Sequence, residues 1–219
     1  MSKHRIDELK NLGIEMPRVE GKNNVAVLAG TVANADIYNV NVIAYRYKDT
    51  QNDARIISGT TKAGLVGSFQ KGTIKNAYTD VYFADLNASG IAYNVGADAK
   101  IDNVFFHAVT KADGKPFVDD ENIKVAEIVD ENSTIKNAHK ITDIEMRDSK
   151  TLKPLQTLFG MASNWVFIDG LHPVMKNTTK KIVADGEEYC ITIWKNEYSD
   201  GCLEPCPNFS SGADTGKFL

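Results

Sequence analysis

What the 219-residue sequence lacks narrows it first. No apolar run approaches the roughly 18 residues that a membrane-spanning helix needs, so an integral helical membrane protein is not expected. The opening residues, MSKHRIDELK, hold no apolar core of a leader peptide, so no secretory signal and a cytoplasmic location are expected, in host cytoplasm or virion if the chain is viral. Cysteine is scarce. Cys190, Cys202 and Cys206 make an odd count without dense spacing, which argues against a disulfide scaffold. Runs of adjacent cations are also missing, Lys180-Lys181 being the one such pair. Neither a Gly-x-Ser-x-Gly elbow nor a His-Glu-x-x-His helix occurs, and no catalytic constellation stands out, so an enzyme is not expected.

The charge is small in total, 25 basic against 29 acidic side chains, but unevenly spread. Residues 1–112 carry a net +2, 113–131 a net −5, 136–181 a net +4 and 182–219 a net −5. Two mildly basic segments therefore alternate with two acidic ones. A mildly acidic total leaves a nucleic-acid partner open, because affinity depends on where the cations lie.

Short runs rich in Val, Ile and aromatics dominate from residue 24 onward: NVAVLAGTV, VNVIAYRY at 40–47, ARIISGTT at 54–61, TDVYFADL at 79–86, GIAYNV at 90–95 and NVFFHAV at 103–109. Punctuated by Asn, Asp and Gly, they read as strands of a sandwich or barrel. Ahead of them, Ile6, Leu9 and Leu12 recur every third residue after Ser2, which predicts a short amphipathic helix ended by Gly13 and Pro17. Leu65, Val66 and Phe69 predict a second helix over 62–71, stopped at Lys71-Gly72. Ser149, Leu152, Leu155, Leu158 and Phe159 predict a third. WVFIDG at 165–170, KKIVADG at 180–186 and EEYCITIW at 187–194 read as strands, with Asp185-Gly186 a hairpin turn. No internal repeat or low-complexity tract stands out.

Strand, strand, strand, short helix, strand, strand is the element order of an OB-fold, and residues 24–109 resemble the bacterial and phage single-stranded-DNA-binding proteins. NVAVLAGTV is similar to that family's opening strand through Leu28 and Gly30. RIISGTTKAGLVGSFQKG at 55–72 resembles its third strand and helix through Arg55, Ile56-Ile57, Phe69 and Lys71-Gly72, and AYNVGADAKIDNVFF at 92–106 resembles its closing strand. In and after the third strand, where that family carries stacking aromatics, this chain has Ser58, Gly59, Thr60 and Thr61. The fold expected is thus mainly β, α+β overall. Residues 1–23 would form the amphipathic helix and linker, 24–112 an OB-like five-stranded barrel with a capping helix, 113–135 an acidic loop, and 136–219 a smaller α+β region with a C-terminal tail.

Candidate nucleic-acid-binding residues follow from alternation along strands. Tyr45 and Tyr47 would share one sheet face with Arg46 and Lys48 opposite, and Tyr82 with Phe83 would add aromatic surface, a set suited to stacking bases and neutralising phosphates. The other reading of these rings is core or subunit contact. Cys190, Cys202, Cys206 and His172 offer zinc-type ligands, but Cys-x3-Cys spacing and an apolar strand around Cys190 read as free or core thiols, so neither metal nor cofactor is expected. His107, inside a strand, and His172, before Pro173, read as packed or turn residues. Gly212 to Lys217 has the wrong spacing for a phosphate loop. Two functions result. One is a non-catalytic OB-type protein that binds single-stranded DNA in replication or recombination. The other is a structural subunit of a larger assembly, such as a phage head or tail component, with a homo-oligomer or other protein partners and no membrane.

Overall fold

A computed structural model of the chain describes residues 8–15, 17–44, 56–111, 117–119, 121–148, 165–166, 172–175, 180–184, 187–194 and 202–205. In chain order the strands are β1 (Glu8–Glu15), β2 (Val19–Glu20), β3 (Val25–Ala26), β4 (Ala29–Val32), β5 (Asp36–Ile43), β6 (Ile56–Ser58), β7 (Lys62–Ala63), β8 (Val66–Phe83), β9 (Ala88–Lys111), β10 (Phe117–Asp119), β11 (Lys124–Val129) and β12 (Thr134–Lys140). The short helix α1 (Asp143–Arg147) follows, then β13 (Trp165–Val166), β14 (Val174–Met175), β15 (Lys180–Ala184), β16 (Glu187–Trp194) and β17 (Cys202–Pro205).

Pairing is what distinguishes this fold. β1 pairs with β5, β5 with β8, β8 with β9 and β9 with β12, each in parallel, and this stack makes the second of three faces in chain order. The register places equivalent residues directly over one another: Leu9 on Ile37, Ile74, Ile101 and Ile135, and Leu12 on Val40, Ala77, Val104 and Ala138. The first face, which precedes it along β8 and β9, joins β4, the start of β8, the start of β9 and β11 in parallel, so that Ala29, Val66, Ala92 and Ala126 line up. A third joins β2, β6 and the ends of β8 and β9, through Val19, Ile57, Phe83 and Thr110. The chain therefore winds past the same three faces coil after coil, the geometry of a parallel β-solenoid. β9 alone has 24 residues and would run about 80 Å if straight. It instead turns corners and contributes to all three faces.

Asparagine makes one of those corners. The described non-glycine residues with positive φ are all asparagines, and five of the six occupy one column: Asn11, Asn39, Asn76, Asn103 and Asn137, with φ between 47° and 58°. The left-handed region costs an ordinary L-residue about 1–2 kcal/mol, and asparagine tolerates it because its short amide bonds locally. Here the amides also bond along the stack. Asn39 Nδ2 donates to Asn11 Oδ1 at 3.1 Å, and Asn76 Nδ2 donates to Asn39 Oδ1 at 3.3 Å. At the far end Asn137 Nδ2 donates to Asp102 Oδ1 at 3.0 Å. Between the first two faces Gly72 turns with φ 110°, and a Cβ there would meet the Ala35 carbonyl oxygen at 2.1 Å.

Inside the coils lies one aliphatic column per position. Ile37, Ile74 and Ile101 are at most 2% exposed, and Val40, Ala77 and Val104 are fully buried. Each fully buried Ile or Val contributes about 1.5–3 kcal/mol of transfer free energy. Lys62 brings a charge into this apolar setting: it is fully buried, and its Nζ donates to the Gly59 carbonyl at 2.8 Å and to Asp85 Oδ1 at 2.6 Å. Burial tends to raise the Asp85 carboxyl, but the Lys62 hydrogen bond, the Asn87 amide and the Lys62 charge together hold it below its ordinary value.

Several expectations are corrected by this fold. The OB-like five-stranded barrel is absent: the described residues between 24 and 111 form parallel coils where an OB barrel would be antiparallel, and the sheet continues into β11 and β12 beyond them. The capping helix over 62–71 is β7 and the start of β8, with Leu65, Val66 and Phe69 fully buried in the coil interior. The N-terminal helix is β1 over its described part, Glu8–Glu15. In β1 the helical spacing of Leu9 and Leu12 arose without a helix, around Asn11. An asparagine in the left-handed region breaks the strand alternation by one residue, so Ile37 and Val40, three apart, both enter the core. β15 and β16 pair antiparallel around residues 185–186 as the hairpin signal requires, while the helix expected from Ser149 lies outside the described residues.

The column makes a graded prediction. Asn76→Ala is expected to cost about 2–3 kcal/mol, combining the left-handed penalty with a lost amide bond. Asn76→Gly keeps the conformation and loses the bond alone, so it should cost clearly less. Urea denaturation of the two variants checks this, and equal costs would show that the backbone conformation does not limit the corner.

Candidate functional site

On the second face β8 alternates cleanly. Ala77, Val81 and Phe83 join the coil interior, and Thr79, fully buried, donates from Oγ1 to the Gly90 carbonyl at 2.8 Å. Tyr78, Asp80 and Tyr82 therefore point to the opposite, outer side. That outer side is buried too: Tyr78 and Asp80 are fully buried and Tyr82 is 1% exposed, with Tyr82 packed against Ala44 and Val109 in a separate cluster. What covers it comes from later in the chain. Tyr78 Oη donates to the Pro173 carbonyl, and β14 lies beside β1.

Asp80 sits at the centre of this covered surface. Its rung neighbour His107, 1% exposed, approaches Asp80 Oδ1 through Nδ1 at 2.7 Å. His172, 3% exposed, approaches Asp80 Oδ2 through Nε2 at 2.7 Å. One carboxylate thus bridges two imidazoles that are 65 positions apart in the sequence. Beyond His172 lies Asp143, whose Oδ1 is 3.8 Å from His172 Nε2.

Asp143 is placed by α1, which begins where the fifth rung ends. Thr142 caps the helix: its hydroxyl accepts from the Glu145 amide, and the Glu145 carboxylate accepts from the Thr142 amide in return. The helix buries Met146 completely and pairs Arg147 with Asp143, at 2.5 Å between Arg147 Nη2 and Asp143 Oδ2, both residues at most 8% exposed. Two carboxylates, two imidazoles and a guanidinium are therefore gathered between the solenoid and the segment that crosses it.

The electrostatics of Asp80 run in opposing directions. Complete burial pushes its carboxyl up, and the charge of His107, the hydrogen bonds from His107 and His172 and the charge of His172 outweigh that, holding it well below the ordinary carboxylate range. A carboxyl with a depressed folded value adds stability that is fully present above its unfolded value, 3.8, and is lost as pH falls below it.

The expected site residues fall elsewhere. Tyr45, Arg46, Tyr47 and Lys48 lie outside the described residues. Tyr82 and Phe83 are buried on opposite sides of β8, at 1% and 0% exposure, and present no ring to solvent. His107 and His172, read as packed residues, are indeed buried, but they share a carboxylate. Asp80 and Asp143 drew no attention in the sequence. The one available signal was an ionisable residue inside the apolar run TDVYF, facing a histidine in the similar run NVFFHAV.

Removing the bridging charge while keeping its shape should be costly. Asp80→Asn is expected to lose about 3–5 kcal/mol at neutral pH, the range for breaking a buried ionic contact. Its stability should also fall less steeply than that of the parent chain as pH drops below about 4. Denaturant melts across pH check both, and parallel pH curves for the two proteins would contradict the assignment. No family model, no curated protein and no solved structure matches this chain.

Proposed function

We propose that this chain is a structural subunit of a larger protein assembly, such as a phage head or tail component. The observation that carries the reading is the state of the terminal rungs. Among the described residues β1 pairs only with β5, and β12 only with β9, so each end of the second face has a backbone edge. Positions that are buried in the inner rungs are half exposed at both ends: Leu9, Leu12 and Ile14 on β1, and Ile135 and Ala138 on β12. Open parallel edges with aliphatic side chains are templates for pairing with another chain. Because every rung repeats one pattern, the last rung of one copy matches the first rung of the next, which supports a head-to-tail contact that propagates.

The buried Asp80 cluster fits the same reading, since it fastens chain segments together and offers no open surface to a substrate. Among the described residues no helix is long and apolar enough to cross a membrane. Single-strand binding rested on an OB-like barrel and on aromatic faces. With the barrel replaced by a solenoid and Tyr82 and Phe83 buried, it keeps only Tyr45 to Lys48 as support.

Native mass measured with and without oligo-dT separates the two functions. A structural subunit gives multiples of the chain mass that grow with protein concentration and ignore the oligonucleotide, and Leu12→Asp shifts the population toward single chains. A monomer at every concentration that gains the mass of oligo-dT would overturn the assembly reading in favour of single-strand binding.

A further inference from the structure

We infer that Asp80, His107, Asp143 and His172 form a binding site for a divalent first-row transition metal, zinc being the probe of choice, which locks the C-terminal segment onto the solenoid. The donors come from four separate places: β8, β9, α1 and the residue before Pro173. Ligand atoms of Asp80, His107 and Asp143 all lie within 4.8 Å of one another, and the three residues are buried. His172 Nε2 stands 2.7 Å from Asp80 Oδ2 and 3.8 Å from Asp143 Oδ1, so it borders this trio, and a shift of its ring brings it in as the fourth donor.

Chemistry and geometry agree on the class. Two imidazoles and two carboxylates form a nitrogen and oxygen set that suits zinc and its neighbours, whereas calcium and magnesium prefer oxygen alone. Bonds of about 2.0–2.2 Å in a tetrahedral arrangement put ligand atoms about 3.4 Å apart. Among Asp80, His107 and Asp143 the separations lie between 2.7 Å and 4.8 Å and bracket that value, so side-chain rotations of a few tenths of an ångström to about an ångström let these three admit an ion. Four protein donors with full burial describe a closed, structural site. The outer shell is in place as well, because Arg147 holds both oxygens of the Asp143 carboxylate, Nη2 donating to Oδ2 at 2.5 Å and Nε to Oδ1 at 3.3 Å, and so fixes its orientation. Both histidines bind in their neutral form, so loading the site releases any proton they hold.

The surroundings explain why an ion is useful there. Only residues 172–175 of the segment between β13 and β15 are described, and they reach the solenoid through the Tyr78 to Pro173 bond and the His172 to Asp80 bond. A metal that joins His172 to β8, β9 and α1 turns two hydrogen bonds into a four-point clasp.

The test uses the full chain. Elemental analysis of purified protein is expected to show about one equivalent of zinc or another first-row metal, and chelator-stripped protein should regain its melting temperature on adding one equivalent of zinc. Cobalt substitution should give the visible bands of a tetrahedral site. His107→Ala and His172→Gln should each lower metal affinity by at least about tenfold. Two controls guard the assignment. His139→Ala, which alters an exposed ring stacked on Phe105, should retain the metal, and so should the chain carrying Cys190→Ser, Cys202→Ser and Cys206→Ser. The inference is overturned if the parent protein holds no metal and its melting temperature ignores zinc, because the cluster is then a hydrogen-bonded network alone. It is equally overturned if the metal vanishes with the cysteines and survives His107→Ala. Neither result bears on the oligomeric state, so the assembly reading stands or falls separately.

Discussion

Each coil of this molecule must turn sharply where L-residues resist turning, and an asparagine takes that position in every one of five successive rungs. The left-handed backbone at Asn39 redirects the strand so that Ile37 and Val40 both face inward. Repeated at Asn76 and Asn103, the same turn stacks Ile on Ile and Val or Ala on Ala or Val, with about 4.8 Å between rungs. Parallel pairing, the aliphatic columns and the placement of every later side chain depend on that corner being made in the same way each time. The side-chain amides that bond along the column reward identity between coils, since an amide both donates and accepts in the same direction.

From the corner onward the second face carries alternate side chains to two environments. Inward residues complete the coil core. Outward residues between 78 and 82, and 105 and 109, are buried as well, Tyr78 and Asp80 against Pro173 and His172, and Tyr82 and Val109 against Ala44, so this stretch is covered on both sides as parallel sheets with two covered faces are. A carboxylate in such a place persists only with strong partners. Asp80 has two histidines, one supplied by the register of the next rung and one by the covering segment. The solenoid thus generates half of the site by repetition, and the segment around His172 completes it from outside the repeat.

Much of this was legible in the sequence at the level of elements and little of it at the level of connection. The runs at 24–32, 40–47, 79–86, 90–95 and 103–109 overlap β3 to β5, β8 and β9, because β-branched and aromatic side chains fit a pleated buried surface wherever they occur. Parallel against antiparallel pairing was not visible, since short runs bounded by Asn, Asp and Gly serve both. The repeat itself, Leu-Lys-Asn-Leu, Ile-Tyr-Asn-Val, Ile-Lys-Asn-Ala, Ile-Asp-Asn-Val and Ile-Lys-Asn-Ala, stands in the sequence. It is hard to read because its copies are 28, 37, 27 and 34 residues apart, so no single period runs through them. The same asparagine that defines the repeat also disguised it, by giving Leu9 and Leu12 the spacing of a helix. The Asp80 cluster was illegible for a different reason: its members are held together by register and by a late segment, neither of which local pattern encodes.

The claim on which everything else rests is that residues 37, 74 and 101 lie on consecutive parallel rungs. Backbone nuclear Overhauser effects in a triple-labelled sample test it directly. The account predicts cross-strand contacts in the parallel pattern that link Ile37 to Ile74 and Ile74 to Ile101, with the same pattern one step on at Val40, Ala77 and Val104. Antiparallel contacts between these segments, or helical amide-to-amide contacts through residues 62–71, would contradict the solenoid and everything derived from it.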